Sequence, residues 1–261
     1  MPLEIPPDVT VIPSAEIVPV EGDEGLLGRG ALGEVRRGRW VTAAAGGAET
    51  GVALKRLFLL RDDLAALAEM GGALSAEEKA AVVAAFMREC VILSRANHPN
   101  ILQFYGLVLD DARQPLFMAT ALAESGTVRD LCQHERYAHL RSVGEGLPDG
   151  AVAVLSHALV VDVLLDVFLA LEYLHTRAEP VLHRDVKPAN VLIEISAAGV
   201  FQKAMLADLG EAKQVVLGTR AARSLGTVGV GTLIYMAPGD EGSPRHEGAE
   251  GRHLLCGRHD G

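Results

Sequence analysis

His183-Arg184-Asp185-Val186-Lys187-Pro188-Ala189-Asn190 places a carboxylate (Asp185), an ammonium (Lys187) and a carboxamide (Asn190) on one short loop after an apolar helical stretch. Phosphoryl transfer from a metal-bound nucleotide requires those groups. A carboxylate orients a hydroxyl, a cation offsets phosphate charge, and an amide oxygen holds a hard metal. Alone, the run also fits a solvated loop that turns at Pro188. Its meaning depends on what surrounds it.

Near the N-terminus, Gly28-Arg29-Gly30-Ala31-Leu32-Gly33-Glu34-Val35 removes side chains at three positions, letting a backbone approach phosphates closely. In a chain with 28 glycines the same pattern also fits a plain hairpin. Residues 36–41 have no helical stripe, so the expectation is strand–loop–strand. A dinucleotide fold would need a helix directly after the loop. Val52-Ala53-Leu54-Lys55 then puts Ala53 and Lys55 on one strand face. A small residue beside a cation suits an adenine and its phosphates, although an exposed lysine is the commoner case. Residues 80–95 are apolar at helical spacing, with Phe86, Glu89 and Leu93 in one stripe. A carboxylate in such a stripe is expensive unless paired, and Lys55 is the natural partner. The alternative is a Glu89 at the stripe's edge, reaching water.

These segments, in this order, with Asp208-Leu209-Gly210 following, make the chain resemble a eukaryotic-type protein kinase domain. Asn97-His98-Pro99-Asn100-Ile101 is similar to the family's link from its regulatory helix to the next strand. Gly231-Thr232-Leu233-Ile234-Tyr235-Met236-Ala237-Pro238 is similar to the end of an activation segment. The resemblance implies an α+β, bilobal fold: a five-stranded antiparallel N-lobe sheet with a regulatory helix, and an incomplete, mainly helical C-lobe. It divides the chain into an extension (residues 1–23), an N-lobe and hinge (24–123), a partial C-lobe through the activation segment (124–238) and a divergent, disordered tail (239–261).

The resemblance implies roles residue by residue. Lys55 contacts the phosphates of ATP and pairs with Glu89; Asp185 accepts or orients the substrate hydroxyl; Lys187 sits near the transferred phosphate; Asn190 and Asp208 bind Mg²⁺. Gly28, Gly30, Gly33, Val35, Ala53 and Leu192 belong to the nucleotide pocket. Counting back from Gly126-Thr127-Val128 makes Thr120 the gatekeeper and 121–123 the hinge, with Ala121 and Ala123 presenting backbone groups to adenine; Thr120 also reads as an ordinary β-branched strand residue. Lys187, two residues after Asp185, resembles serine/threonine kinases, whereas Trp40 has a tyrosine-kinase-like context. The implied partner is a protein carrying a Ser or Thr hydroxyl. Thr219, Ser224 and Thr227, with Arg220 and Arg223 nearby, are candidates for an upstream kinase, the new phosphate pairing with an arginine such as Arg184. Hydroxyls with no switch role fit the same loop equally well.

The chain also departs from the pattern. Leu209 and Leu32 replace aromatic residues, and Gly239 replaces a glutamate. Residues 240–261 are rich in Gly, Arg, His and Glu, with Leu254-Leu255 as the one aliphatic pair and no apolar stripe. The family's further helices, including a buried one under the catalytic loop, are not found. The expectation is a C-terminally truncated domain, or a reading frame that departs near residue 239. A non-catalytic truncated kinase, or a nucleotide-binding pseudokinase or scaffold module, is the alternative function. His246, His253, Cys256 and His259 have zinc-binding side chains, but not at the usual finger spacing.

Net charge −10 argues against general nucleic-acid or anionic-membrane binding. Three cysteines without framework spacing suit a reducing compartment. Early acidic and proline residues do not suit a signal peptide. The longest apolar run, 151–174, is interrupted by Asp162, Asp166 and Glu172, so no membrane span is expected and the implied location is cytoplasmic. Residues 1–23 read as extended or loosely docked. Residues 60–78 read as an added helix broken at Gly71-Gly72, 136–150 as a loop insertion, and 152–175 as a long core helix with a Leu164/Phe168/Leu171 stripe.

Overall fold

Alternation along residues 33–57 builds the centre of the structure. Strand β4 (Gly33–Thr42) pairs antiparallel with β5 (Ala48–Leu57) in unbroken register from Gly33↔Leu57 to Thr42↔Ala48. On β5, Val52 and Leu54 point to one face and are fully buried; Ala53, Lys55 and Leu57 point to the other. The computed structural model describes residues 5–30, 32–42, 48–61, 75–133, 137, 141–142 and 154–214. Residues 62–74 with Gly71-Gly72, Thr219, Arg220, Arg223, Ser224, Thr227, residues 231–238 and the tail with its His246/His253/Cys256/His259 group lie outside the described residues.

Around this hairpin the sheet runs β1–β6–β7–β5–β4–β2. Here β1 is Val11–Pro13, β2 Ile17–Pro19, β6 Phe104–Leu109 and β7 Pro115–Ala121; β3 (Leu26–Arg29) continues along β4 beside β2. Among the described residues the sheet thus has seven strands where five antiparallel ones are expected, and β1 lies parallel to β6. The two additional strands come from residues expected to be extended or loosely docked; they are extended, and they are firmly paired. Ile12 is nearly inaccessible over Gly106, where an added Cβ would come within 2.7 Å of its Cγ1. Ile17 is buried as well. Prolines keep this segment extended, while its isoleucines fill one sheet face with Val52, Leu54, Val108, Phe117 and Ala119.

The opposite sheet face is covered by α1 (Ala76–Ser94). The helix starts four residues before the apolar stripe does, because Ser75 and Glu78 form a capping box: Ser75 Oγ accepts from Glu78 N (3.1 Å) and Glu78 Oε2 accepts from Ser75 N (2.7 Å). Phe86, Glu89 and Leu93 are all buried, as their spacing predicts.

The second lobe contains α2 (Val128–Gln133), α3 (His157–His175), a short pair β8 (Arg141–Ser142) and β9 (Val154–Leu155), and two further antiparallel pairs. These are β10 (Val181–Leu182) with β13 (Lys213–Gln214), and β11 (Val191–Ile195) with β12 (Phe201–Leu206). Helix α3 begins at the Ser156 cap, five residues later than expected, and it turns a different face inward. Leu159, Val163, Val167, Ala170 and Leu174 are buried, whereas Leu164 is 48% and Phe168 63% exposed; Leu171, the third residue of the expected stripe, is half-buried and packs against the same core. The helix is apolar nearly all round, so hydrophobic periodicity alone does not select a face. Its acid does: Asp166 Oδ2 accepts the Ala204 amide of β12 at 2.7 Å, and Val163, Val167 and Ala170 follow it inward.

Leu54 lies on β5 between β4 and β7 and packs into the cluster on one sheet face, without exposed surface. Leu54→Ala should lower unfolding free energy by about 2–5 kcal/mol through lost burial and a cavity. A denaturant titration checks this, and an unchanged midpoint would contradict the described core.

Candidate active site

A strand, a helix and a turn supply the three charged groups at the centre of the site. Lys55 projects from β5 on the face shared with Ala53. Its Nζ donates to Glu89 Oε2 of α1 at 2.7 Å and to Asp208 Oδ1, just past β12, at 2.9 Å. Glu89 is 3% exposed at its side chain and Lys55 28%, so the pair lies at the base of an open cleft. Burial alone depresses the Lys55 pKa, but Glu89 and Asp208 outweigh it and hold the ammonium above the usual lysine range. Burial raises the Glu89 carboxyl above its usual value, helped by repulsion from Asp208 and opposed by Lys55. Burial acts on Asp208 in the same direction, yet Lys55 draws it below its usual value.

The loop after β10 organises a second set. Asp185 is buried, and its Oδ2 accepts from Lys187 Nζ at 2.6 Å and from Asn190 Nδ2 at 2.9 Å. Asn190 Nδ2 also donates to the Asp185 carbonyl (2.9 Å), while the Asn190 carbonyl accepts from Ala207 N (2.9 Å). The carboxamide nitrogen is thereby committed, and its oxygen is the atom suited to a cation. Asn190 and Asp208 are thus hard oxygen donors at the ends of adjoining segments, a donor set that fits Mg²⁺ together with phosphate oxygens and water. Arg184 (φ 68°) and Asp208 (φ 60°) both adopt left-handed backbone, a strained choice for side-chain-bearing residues that aims the two segments.

His183, to which the sequence analysis assigns no role, joins these two segments. Its ring is buried; Nε2 lies 2.9 Å from the Ala207 carbonyl, and Nδ1 accepts from Asp185 N at 3.3 Å. This pattern requires the neutral ring with its proton on Nε2. The available signal was position: an aromatic base opening the loop that carries Asp185. Glu34 was missed as well. It is buried on β4 beside the glycine loop and accepts from Arg56 Nε at 2.9 Å.

The glycine residues form a tight β3–β4 hairpin. Gly30 N donates to Gly33 O (2.9 Å), and Phe58 N donates to Leu32 O (3.1 Å), tying the loop to the end of β5. An added Cβ at Gly33 would lie 2.1 Å from the Arg56 carbonyl, whereas one at Gly28 would meet nothing within 4 Å. Gly33 is therefore required by backbone approach, and Gly28 faces open space. Beneath lies a cavity of about 660 Å³ whose lining includes Gly28, Gly30, Gly33, Val35, Lys55, Glu89 and Asp208. Gly210 of the Asp208-Leu209-Gly210 run lines it too, as do Arg88 and Glu211, which were not singled out in sequence. Ala53, Thr120, Ala121, Ala123, Leu192, Asp185, Lys187 and Asn190 are not among its lining residues. Thr120 is buried and pairs with Ala53 across β7–β5, Ala121 N donates to Gln103 O (2.9 Å), and Leu192 bridges to Thr127.

A sequence model described as the protein kinase domain matches residues 23–240. The chain belongs to the protein kinase domain family. Similar proteins include the serine/threonine-protein kinase VIK of Arabidopsis thaliana, 29% identical over 241 residues, or 91% of this chain and 45% of that protein. LysM domain receptor-like kinase 10 of Oryza sativa subsp. japonica is 31% identical over 174 residues, 66% of this chain and 25% of that one. PTI1-like tyrosine-protein kinase 2 of Arabidopsis thaliana is 29% identical over 241 residues, 91% and 54% respectively. The kinase domain chain thus spans about half the length of these relatives or less. No helix among the described residues is long and apolar enough to cross a membrane.

In this kinase domain, burial lowers the His183 pKa, against the pull of the Ala207 carbonyl and the neighbouring carboxylates of Asp208 and Asp185. With the folded value below the unfolded one, the unfolded chain takes up the proton first, so stability falls as pH drops through about 6.5. The melting temperature should therefore decline from about pH 7 to about pH 5, and His183→Asn should flatten that decline. An unaltered pH slope in the variant would show that the ring is not held neutral.

Proposed function

We propose that this kinase domain transfers the terminal phosphoryl group of ATP to a serine or threonine hydroxyl of a protein, with Mg²⁺. The observation that carries the proposal is the convergence of Lys55, Glu89 and Asp208 within 2.9 Å contacts beneath the glycine hairpin. The amides of Gly28, Gly30 and Gly33 and the Lys55 ammonium would bind the phosphates, and Glu89 would keep that ammonium aimed. Asn190 and Asp208 would hold Mg²⁺, which neutralises charge on the phosphates when bound. Val35, Ala53 and Leu192 would enclose adenine, with Thr120 limiting the depth of the pocket and Ala121 and Ala123 offering backbone groups.

Asp185 would orient the substrate hydroxyl and accept its proton as the new O–P bond forms and the bond from the terminal phosphorus to the bridging oxygen breaks, releasing ADP. Lys187, now on the same carboxylate at 2.6 Å, would shift toward the transferred phosphoryl oxygens, where negative charge collects. The choice of serine and threonine over tyrosine is supported by Lys187 in the loop and by relatives bearing the name serine/threonine-protein kinase, among them VIK. Lys55, Glu89, Asp185, Asn190 and Asp208 all carry the side chains that the reaction calls for, which supports catalysis over a purely non-catalytic module.

Asp185→Asn should lower kcat by about 10²–10⁴-fold and leave the nucleotide KM within about threefold. Radiolabelled phosphate transfer to a generic protein substrate measures both. Acid hydrolysis of that product should yield phosphoserine or phosphothreonine. Undiminished transfer by the variant would remove Asp185 from the mechanism, and phosphotyrosine alone would overturn the acceptor class.

A further inference from the structure

The N-terminal segment reaches the charged centre through α1. Val9 is 4% exposed and belongs to the apolar cluster that holds Phe86, Cys90 and Leu93 of α1 with Leu107 and Met118 of the sheet; Ile5 packs against the same cluster. Val9 N donates to Pro6 O (3.0 Å), closing a turn, and Leu107 N donates to Thr10 O (2.8 Å) as β1 begins its parallel run along β6. Asp8 Oδ2 meets Arg95 Nε at 2.5 Å, and Arg95 is the C-cap of α1. Six residues separate Glu89 from Arg95, about 9 Å along a helix. The segment is thus anchored to the sheet on one side and to the last turns of α1 on the other.

We propose that residues 5–13 are a strap that positions α1, and through it the Lys55–Glu89 pair, with Val9 as the positioning residue. An anchor on the sheet holds the helix end at a fixed distance from β5, which carries Lys55. Release of the strap frees α1 to swing outward about its sheet contacts and draws Glu89 from the lysine. The Asp8–Arg95 pair is exposed and adds little energy of its own. It sets the direction in which the strap leaves the helix, and the buried Val9 holds it there. The effect on nucleotide use rests on the function proposed above; the effect on α1 does not.

Hydrogen exchange and MgATP binding, both on the full chain, separate the two. Val9→Ala should raise exchange of the α1 amides by about tenfold or more and leave the β5 and β7 amides within about twofold. If Val9→Ala yields no folded protein, Val9→Thr, which keeps the shape, takes its place with the same expectation. Uniformly faster exchange, or no change in α1, would overturn the strap. MgATP affinity should fall about fivefold in Val9→Ala, return in Val9→Ile, and fall less than about twofold further when Val9→Ala is added to Glu89→Gln. Equal losses with and without Glu89 would show that Val9 does not act through the pair. Absence of MgATP binding by the unaltered chain would count against the proposed function, while the exchange comparison would still decide the strap.

Discussion

A lysine shared between two carboxylates constrains everything else in the molecule. Glu89 lies inside an apolar helix face, where an unpaired charge has no place. Lys55 is its partner only if β5 and α1 pack at one particular distance, since a 2.7 Å contact tolerates little drift. Asp208 adds a second condition, because it reaches the same ammonium from 153 residues away in sequence. One cation therefore ties the sheet, the helix and the turn after β12 together. Removing Lys55 would leave the buried Glu89 carboxylate uncompensated, a loss of about 3–5 kcal/mol where such pairs are broken in other proteins. Stability and site geometry are here a single constraint.

The remaining parts of the site serve that centre by fixing backbone. Gly33 lets β4 pass close to the Arg56 carbonyl, and the Phe58–Leu32 hydrogen bond closes the hairpin over the cavity. Behind the centre, His183 connects the Asp185 loop to Ala207, so the groups at 185 and 208 share one rigid support. The left-handed residues at 184 and 208 flank that support. A third residue with such backbone, Arg113, lies in the β6–β7 turn, but at 184 and 208 the strain serves to present side chains to a common space, and the surrounding hydrogen bonds hold it there.

Much of this was legible in the sequence because it is written in residue types that are costly elsewhere. A glutamate inside the Phe86/Leu93 stripe demands a cation, and a strand lysine beside an alanine offers one. The mismatches arise where the sequence is permissive. Helix α3 is apolar on nearly every face, so periodicity suggested Leu164 and Phe168, whereas the Asp166–Ala204 hydrogen bond rotates Val163 and Val167 inward. Ser75 set the start of α1, but a cap beyond the apolar stripe is invisible to a reading of periodicity. Residues 5–19 have little local signal beyond proline, and their strand pairing depends on an empty place over Gly106 that only the folded sheet creates.

That pairing also affects where the domain can be cut. The family match begins at residue 23, yet β1 covers one side of β6, whose Leu107 and Val108 are without exposed surface. A fragment begun at the family boundary would lack both N-terminal strands and bare the edge of β6 at Leu107–Leu109, the stretch that β1 now pairs. Such an edge is a template for strands of neighbouring molecules, so the shortened domain would tend toward self-association and precipitation.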